Sequence, residues 1–280
     1  MPHEHGRSIL IPQPARRSRL RLRLGGVWFT WKRRLAWYCS ATRHAAVRSN
    51  DFLEYPIFSH SSPLVRPLQK LEMRLQENKK RNLELAAGKI DGLLLEPGET
   101  FSFWRTVGKP TRRRGYLEGL VLSQGGLRAG IGGGLCQLSN LIYWMALHTP
   151  LQVVERRRHS YDVFPDAERT QPFGSGATVA YNYVDLQIHN PTEARFQLRI
   201  WLDGTHLRGE WRSGAPTEHA YAVFERNHRI CSQPWGGYTR HNEIYRTVTR
   251  LDTRETREEF ITANDALMLY SPMLPEAGGA

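Results

Sequence analysis

The chain has 280 residues, with 39 Lys+Arg against 27 Asp+Glu and a formal net charge of +12. Hydrophobic residues make up 40% and aromatics 10%, enough to build a core, which excludes a wholly disordered chain. The basic excess suggests an anionic partner, nucleic acid or a membrane surface, but it is concentrated: residues 1–48 hold eleven bases and the single acid Glu4, and the rest of the chain carries only +2.

Residues 1–20 contain Pro2, Pro12, Pro14 and several arginines without periodicity, so a disordered basic tail is expected there. Residues 21–66 read as a basic amphipathic arm and linker. Leu24, Trp28, Trp31 and Leu35 recur at helical spacing on one face, with Arg21 and Lys32 at its margins. Such a stripe suits an anionic membrane surface, because tryptophan favours interfaces. It equally suits a helix packed on the body, and that is the favoured expectation. No apolar run reaches the roughly 20 residues that a spanning helix needs, and no signal h-region is present. The sequence as written therefore predicts a cytoplasmic protein or one peripheral to the membrane, extracytoplasmic if the start codon is misplaced.

Pro56, Pro63 and Pro67 punctuate the predicted linker. From there residues 67–272 are expected to form one domain. A helix is predicted from about Leu68 to Ala87, stopped by Gly88, with Lys79, Lys80 and Arg81 on a solvated face. Phe101–Trp104, Tyr116–Ser123, Val153–His159, Ala177–Ile188 and Phe196–Leu202 read as strands, and further strands fall near Tyr221–Ile230, Asn242–Thr249 and Ala266–Tyr270. Gln137–Leu147 reads as an apolar helix closed by Pro150, and Asp203-Gly204 as a hairpin turn. The strands do not alternate with helices, so the class is α+β: mostly antiparallel strands packed on a few helices.

The chemistry-bearing stretch runs from Gly130 through Gly132, Gly133 and Gly134 to Cys136 and Gln137. A cysteine that follows glycines and opens an apolar helix suits a nucleophile, because a helix N-terminus favours the thiolate. Glycine N–H groups near Gly134 could receive an oxyanion. A phosphate loop is excluded, since the GK[ST] ending is missing. The plain alternative is a small buried hydrophobe. His159, at the end of a predicted strand returning toward the helix start, is the candidate base. Asp185, Asp162 and Asp166 are the candidates to orient it. Ser139 is a weaker nucleophile candidate, with no elbow motif around it. The three cysteines, Cys39, Cys136 and Cys231, are widely spaced, and the 11 histidines form no HxxxH pair. Neither a disulfide framework, nor a metal site, nor a cofactor is expected.

An ordered series of motifs resembles the VanW family, named for an accessory protein of B-type vancomycin resistance clusters. It comprises Pro97–Phe103, Gly115-Tyr116, Gly130–Gln137, Glu155-Arg156, His159-Ser160, Gly176–Val179, Tyr183 and Asp185-Leu186. Some members are associated with L,D-transpeptidase activity on peptidoglycan, with the motif cysteine as nucleophile. The resemblance implies Cys136 and His159 as catalytic residues, with Gly132, Gly133, Gly134, Gln137 and Ser160 around the substrate. Two readings follow: cysteine-dependent acyl transfer or amide hydrolysis on peptidoglycan-type peptides, and a non-catalytic module that binds cell-wall precursors. Nucleic-acid binding rests on charge alone, with no motif beside it.

Overall fold

A computed structural model describes residues 18–65, 73–123, 126–159, 161–162 and 171–270. Its centre is the apolar helix α4 (Leu135–Leu147), whose Leu138, Leu141, Ile142 and Met145 are fully buried. A helix hydrophobic on all sides must be a core helix. Beside it lies α2 (Met73–Ile90), which turns Leu75, Leu83, Ala86, Ala87 and Ile90 inward. Its outer face carries the pairs Glu77–Lys80 and Arg81–Glu84. The predicted start of this helix lies outside the described residues. Its end runs past the expected stop at Gly88 and is turned instead by Gly92, at φ +77°.

Against these helices packs a sheet of β1 (Tyr55–Pro63), β2 (Leu93–Leu95), β9 (Phe196–Leu202) and β10 (His206–Ser213), in the order β1-β10-β9-β2. The β9–β10 hairpin turns where Asp203-Gly204 predicts, with Gly204 at φ +93°. The predicted linker is corrected here. Residues 43–49 are tied to the body through Thr100 N–H to Arg43 O and Leu94 N–H to Val47 O, and 55–63 is a full strand. The prolines are tolerated because β1 is an edge strand, with Pro56 beside a register shift and Pro63 at its end.

A smaller sheet, ordered β3-β8-β6, joins β3 (Thr100–Ser102), β6 (Gln152–Glu155) and β8 (Gln187–His189). Two predicted strands are shortened by it. Phe101–Trp104 is interrupted because the Ser102 side chain accepts the Arg105 N–H and caps the short helix α3 (Phe103–Val107). Ala177–Ile188 is mostly an irregular loop, with isolated bridges at Thr178 and at Ala180–Val184, and enters a sheet only at Gln187. The hairpin β4 (Glu118–Ser123) and β5 (Gly126–Ile131) delivers the chain to the glycine turn before α4.

The last sheet is ordered β11-β12-β13-β7, from β7 (Tyr161–Asp162), β11 (His219–Ser232), β12 (Tyr238–Arg250) and β13 (Thr256–Met268). Strands β11 and β12 exceed the sequence expectation at both ends, while β13 starts ten residues before the expected Ala266 and ends at Met268, short of Tyr270. Edge strand β11 carries a bulge between Arg226 and Arg229, where Asn227 takes φ +54°.

The arm is the helix α1 (Arg19–Cys39), capped by Ser18. Residues 1–17, where the disordered tail is expected, lie outside the described residues. The helix does dock on the body, but not through the predicted stripe. Arg33 pairs with Glu155, Asn182 donates to Thr30 O, and Arg105 donates to Trp37 O. The Leu24, Trp28, Trp31 and Leu35 face is exposed.

Candidate functional site

The glycine turn is built by backbone packing. Gly132 and Gly134 take φ of +75° and +93°, which side-chain-bearing residues rarely adopt. Gly132 N–H donates to Leu117 O, Gly133 N–H to Gly130 O and Gly134 N–H to Leu120 O, each at 3.0 Å. None of these three N–H groups is left for an oxyanion. The turn and the β4–β5 hairpin hang on α2 through Asn82. Its fully buried amide donates to Gly133 O (2.9 Å) and Leu117 O (3.0 Å) and accepts the Leu117 N–H (2.8 Å).

Cys136 stands in the first turn of α4, half-buried against the core. Its thiol donates to Val179 O at 3.8 Å, and burial pushes its pKa up from the usual value. A helix N-terminus alone would have acted in the opposite direction; here desolvation wins. His159 is half-buried, and burial with the neighbouring Arg158 pulls its pKa down. Among the described residues no hydrogen bond joins the His159 ring to Cys136 or to Asp185.

Asp185 is fully buried and engaged elsewhere. One oxygen accepts the Trp104 and Leu186 N–H groups (both 3.0 Å), and the other accepts the Ser102 hydroxyl (2.6 Å) and the Gln187 amide (3.2 Å). It therefore organises the β3–α3 junction. Asp162 is buried beside Arg240 and the Tyr270 hydroxyl. Asp166 and Ser160 lie outside the described residues. Gln137 reaches β1, donating to Ser62 Oγ (2.9 Å) and Pro63 O (2.8 Å). Ser139 donates to Ala177 O (2.6 Å), so its hydroxyl is a structural tie to the 177–184 loop.

Sequence reasoning assigned no role to the polar residues that hold this region together, although Glu155-Arg156 stands in the motif series. Asn140 accepts the Ala177 N–H (2.7 Å). Arg156 stacks over Tyr143 at 4.9 Å, donates to Gly176 O (2.9 Å) and also bonds Gly174 O. Glu155 receives Arg33 in a two-pronged pair (2.5 and 2.7 Å) and accepts the Asp185 N–H. Bidentate, partly buried pairs are stronger than surface ones. A double-mutant cycle of Arg33→Ala and Glu155→Gln is expected to give a coupling of about 1–2 kcal/mol in denaturant unfolding. Trypsin should also cut α1 faster in either variant. A coupling near zero would show that the arm is held by other contacts alone.

A triad-like array does occur elsewhere, on β12 and β13. Thr239 Oγ1 lies 2.9 Å from His241 Nε2, and His241 Nδ1 bonds Asp265. Thr239 is fully buried and also receives the Gln233 amide (2.7 Å), so no carbonyl carbon can approach it. The array is a satisfied polar network of the sheet. Among the described residues no group of His, Cys, Asp and Glu is arranged to hold a metal ion, and no helix is long and apolar enough to cross a membrane.

A family model described as VanW like protein matches residues 78–212, from α2 to β10. The vancomycin B-type resistance protein VanW of Enterococcus faecalis (strain ATCC 700802 / V583) is 34% identical over 226 residues, 80% of this chain and 81% of that protein. The chain belongs to the VanW family. A second relative, the uncharacterized protein YoaR of Bacillus subtilis (strain 168), is 34% identical over 114 residues, 41% of this chain and 36% of its own. No solved structure matches. The VanW-matched segment contains Asn82, the glycine turn, Cys136, Gln137, Glu155, Arg156 and Asp185. The Thr239 network lies beyond it.

Proposed function

We propose that this VanW-family chain is a non-catalytic accessory module of glycopeptide resistance that binds cell-wall precursor peptides. One observation carries the reading: the half-buried Cys136 thiol donates to Val179 O, and among the described residues no hydrogen bond joins it to the His159 ring, so no base is in place to draw off its proton. Burial, which pushes the thiol pKa up, acts in the same direction. The occupied glycine N–H groups and the engaged Asp185 support it. A hollow of about 420 Å³ between α1 and the 181–183 loop, lined by Val27, Thr30, Trp31, Lys109, Tyr181 and Tyr183, offers aromatic faces and one ammonium. That chemistry suits a peptide ending in a carboxylate.

The competing reading, acyl transfer of the L,D-transpeptidase type or amide hydrolysis, draws on the place of Cys136 in the first turn of α4. It requires the thiol to leave Val179 O and His159 to approach it. The two are separated by labelling Cys136 against pH in a Cys39→Ser, Cys231→Ser background. The expected midpoint is at or above that of free cysteine, about 8.5. Incubation with muropeptides is expected to leave the chain's mass unchanged, and Cys136→Ala should retain muropeptide binding in calorimetry. A midpoint well below 8.5, or an acyl adduct on Cys136, overturns the accessory reading.

A further inference from the structure

Helix α1 has two distinct faces. Thr30, Arg33 and Trp37 lie on the side that docks on the body. On the opposite side Leu24, Val27, Trp28, Trp31, Leu35 and Tyr38 fall within an arc of roughly 100° at 100° per residue. That arc is centred about 130° from the docked line. Its exposures are high: Leu24 62%, Trp28 66%, Trp31 58% and Leu35 59%. The body meets it at its margins, where Arg105 lies 5.9 Å from the Tyr38 ring and Val27 and Trp31 border the hollow beside Lys109 and Tyr181, and Leu24, Trp28, Trp31 and Leu35 stay more than half exposed. A monomeric surface rarely leaves so many large apolar side chains together in water without a partner.

We propose that this outward face of α1 is a binding surface for an anionic lipid bilayer, on which the helix lies flat. Three observations select that occupant. Arg21 and Lys32 border the apolar arc on one edge, and Arg34 borders it on the other, with its guanidinium 5.7 Å from the Trp31 ring. Long basic side chains at the rim of an apolar strip reach lipid phosphates while their stems stay with the acyl chains. The strip contains two tryptophans and a tyrosine, the residues that favour the headgroup level. The charge is one-sided: residues 1–48 hold eleven bases and one acid. A protein partner would need a matching acidic groove, whereas a bilayer containing anionic lipid supplies both the apolar depth and the negative surface. The helix is a surface element and not a span, since Lys32, Arg33 and Arg34 interrupt it. The proposal does not rest on the accessory reading of Cys136.

The test is co-sedimentation of the full chain with vesicles of phosphatidylcholine, with and without phosphatidylglycerol. The native chain is expected to pellet with phosphatidylglycerol vesicles and to be released as salt rises. Trp28→Ser combined with Trp31→Ser should weaken binding about tenfold or more, with melting temperature unchanged because these side chains face solvent. Lys32→Glu combined with Arg34→Glu should weaken it by at least about fivefold per charge removed, and only on phosphatidylglycerol vesicles. Equal binding with and without phosphatidylglycerol, no binding at all, or binding indifferent to both variant pairs overturns the proposal. So does a chain that ignores vesicles but forms a dimer abolished by the tryptophan variants, since the face would then belong to a second copy.

Discussion

Gly133→Ala is expected to prevent the chain from accumulating in its folded form, at a cost of about 3 kcal/mol or more. A Cβ at Gly133 would sit 2.6 Å from the Gly119 Cα and closer still to its carbonyl group. Neither side of that contact is a flexible side chain. Gly119 meets the same limit from the other direction, where a Cβ would lie 2.7 Å from Gly133 O. Gly98→Ala is the control. Gly98 has φ +73° but open space around its Cα, so it should lose only about 1 kcal/mol. Thermal melts of the two variants measure the difference. A Gly133→Ala chain that melts with the native protein would show that the glycine turn is looser than backbone contact requires, and would free it for a substrate-facing role.

Asp185→Ala is the second large effect. Removing the carboxylate strands the Ser102 hydroxyl, two backbone N–H groups and the Gln187 amide in the core. The expected loss is about 3–5 kcal/mol. Asp185→Asn keeps the shape and one acceptor and should lose about 1–2 kcal/mol. The pair also carries a pH signature. Burial raises the Asp185 pKa to about 6 from 3.8, opposed by the Ser102 and Trp104 hydrogen bonds. The folded chain thus keeps this proton at a pH where the unfolded chain has lost it. The stabilisation from that proton is complete below the unfolded value and is lost as pH rises through the folded one. Its size is at most about 3 kcal/mol. Urea unfolding between about pH 4 and pH 7 should therefore show a falling contribution in the native chain that is missing from Asp185→Asn. Parallel pH profiles for the two proteins would show that Asp185 is ionised throughout.

The parts of the fold legible in the sequence are those with a local cause. Helix α4 is apolar on all sides and preceded by glycines at positive φ, so its place and that of Cys136 follow from composition and turn chemistry. The β9–β10 hairpin follows from Asp203-Gly204. The 177–184 loop misleads because its alternation serves α4 and Trp104. Ala177 is fixed by Ser139 and Asn140, and the Trp104 indole donates to Val184 O at 2.8 Å. No ladder is needed to bury those residues. The glycine turn and the position of Cys136 at the start of α4 were legible, but the partners of the residues around them were not. Asn82 looks like a solvated helix residue, and its only signal is a place beside Leu83 on the inward side. Arg33 and Glu155 are 122 residues apart, and nothing in either neighbourhood announces the other. The amphipathic stripe of α1 was visible at once. Periodicity shows that a helix has an apolar side, and packing alone decides which side the body takes.

The bulge on β11 bears on how copies of this chain avoid one another. A strand of that length at the rim of a sheet is a template on which a second molecule could add its own strand. The one extra residue between Arg226 and Arg229 breaks the regular row of N–H and C=O groups midway along that rim. Arg226 and Arg229 flank the bulge, so an antiparallel copy centred on it would bring like charges together. The longest sheet of the protein thereby ends in a margin that resists self-templating, so the molecule can carry an extended β-surface without growing into fibres.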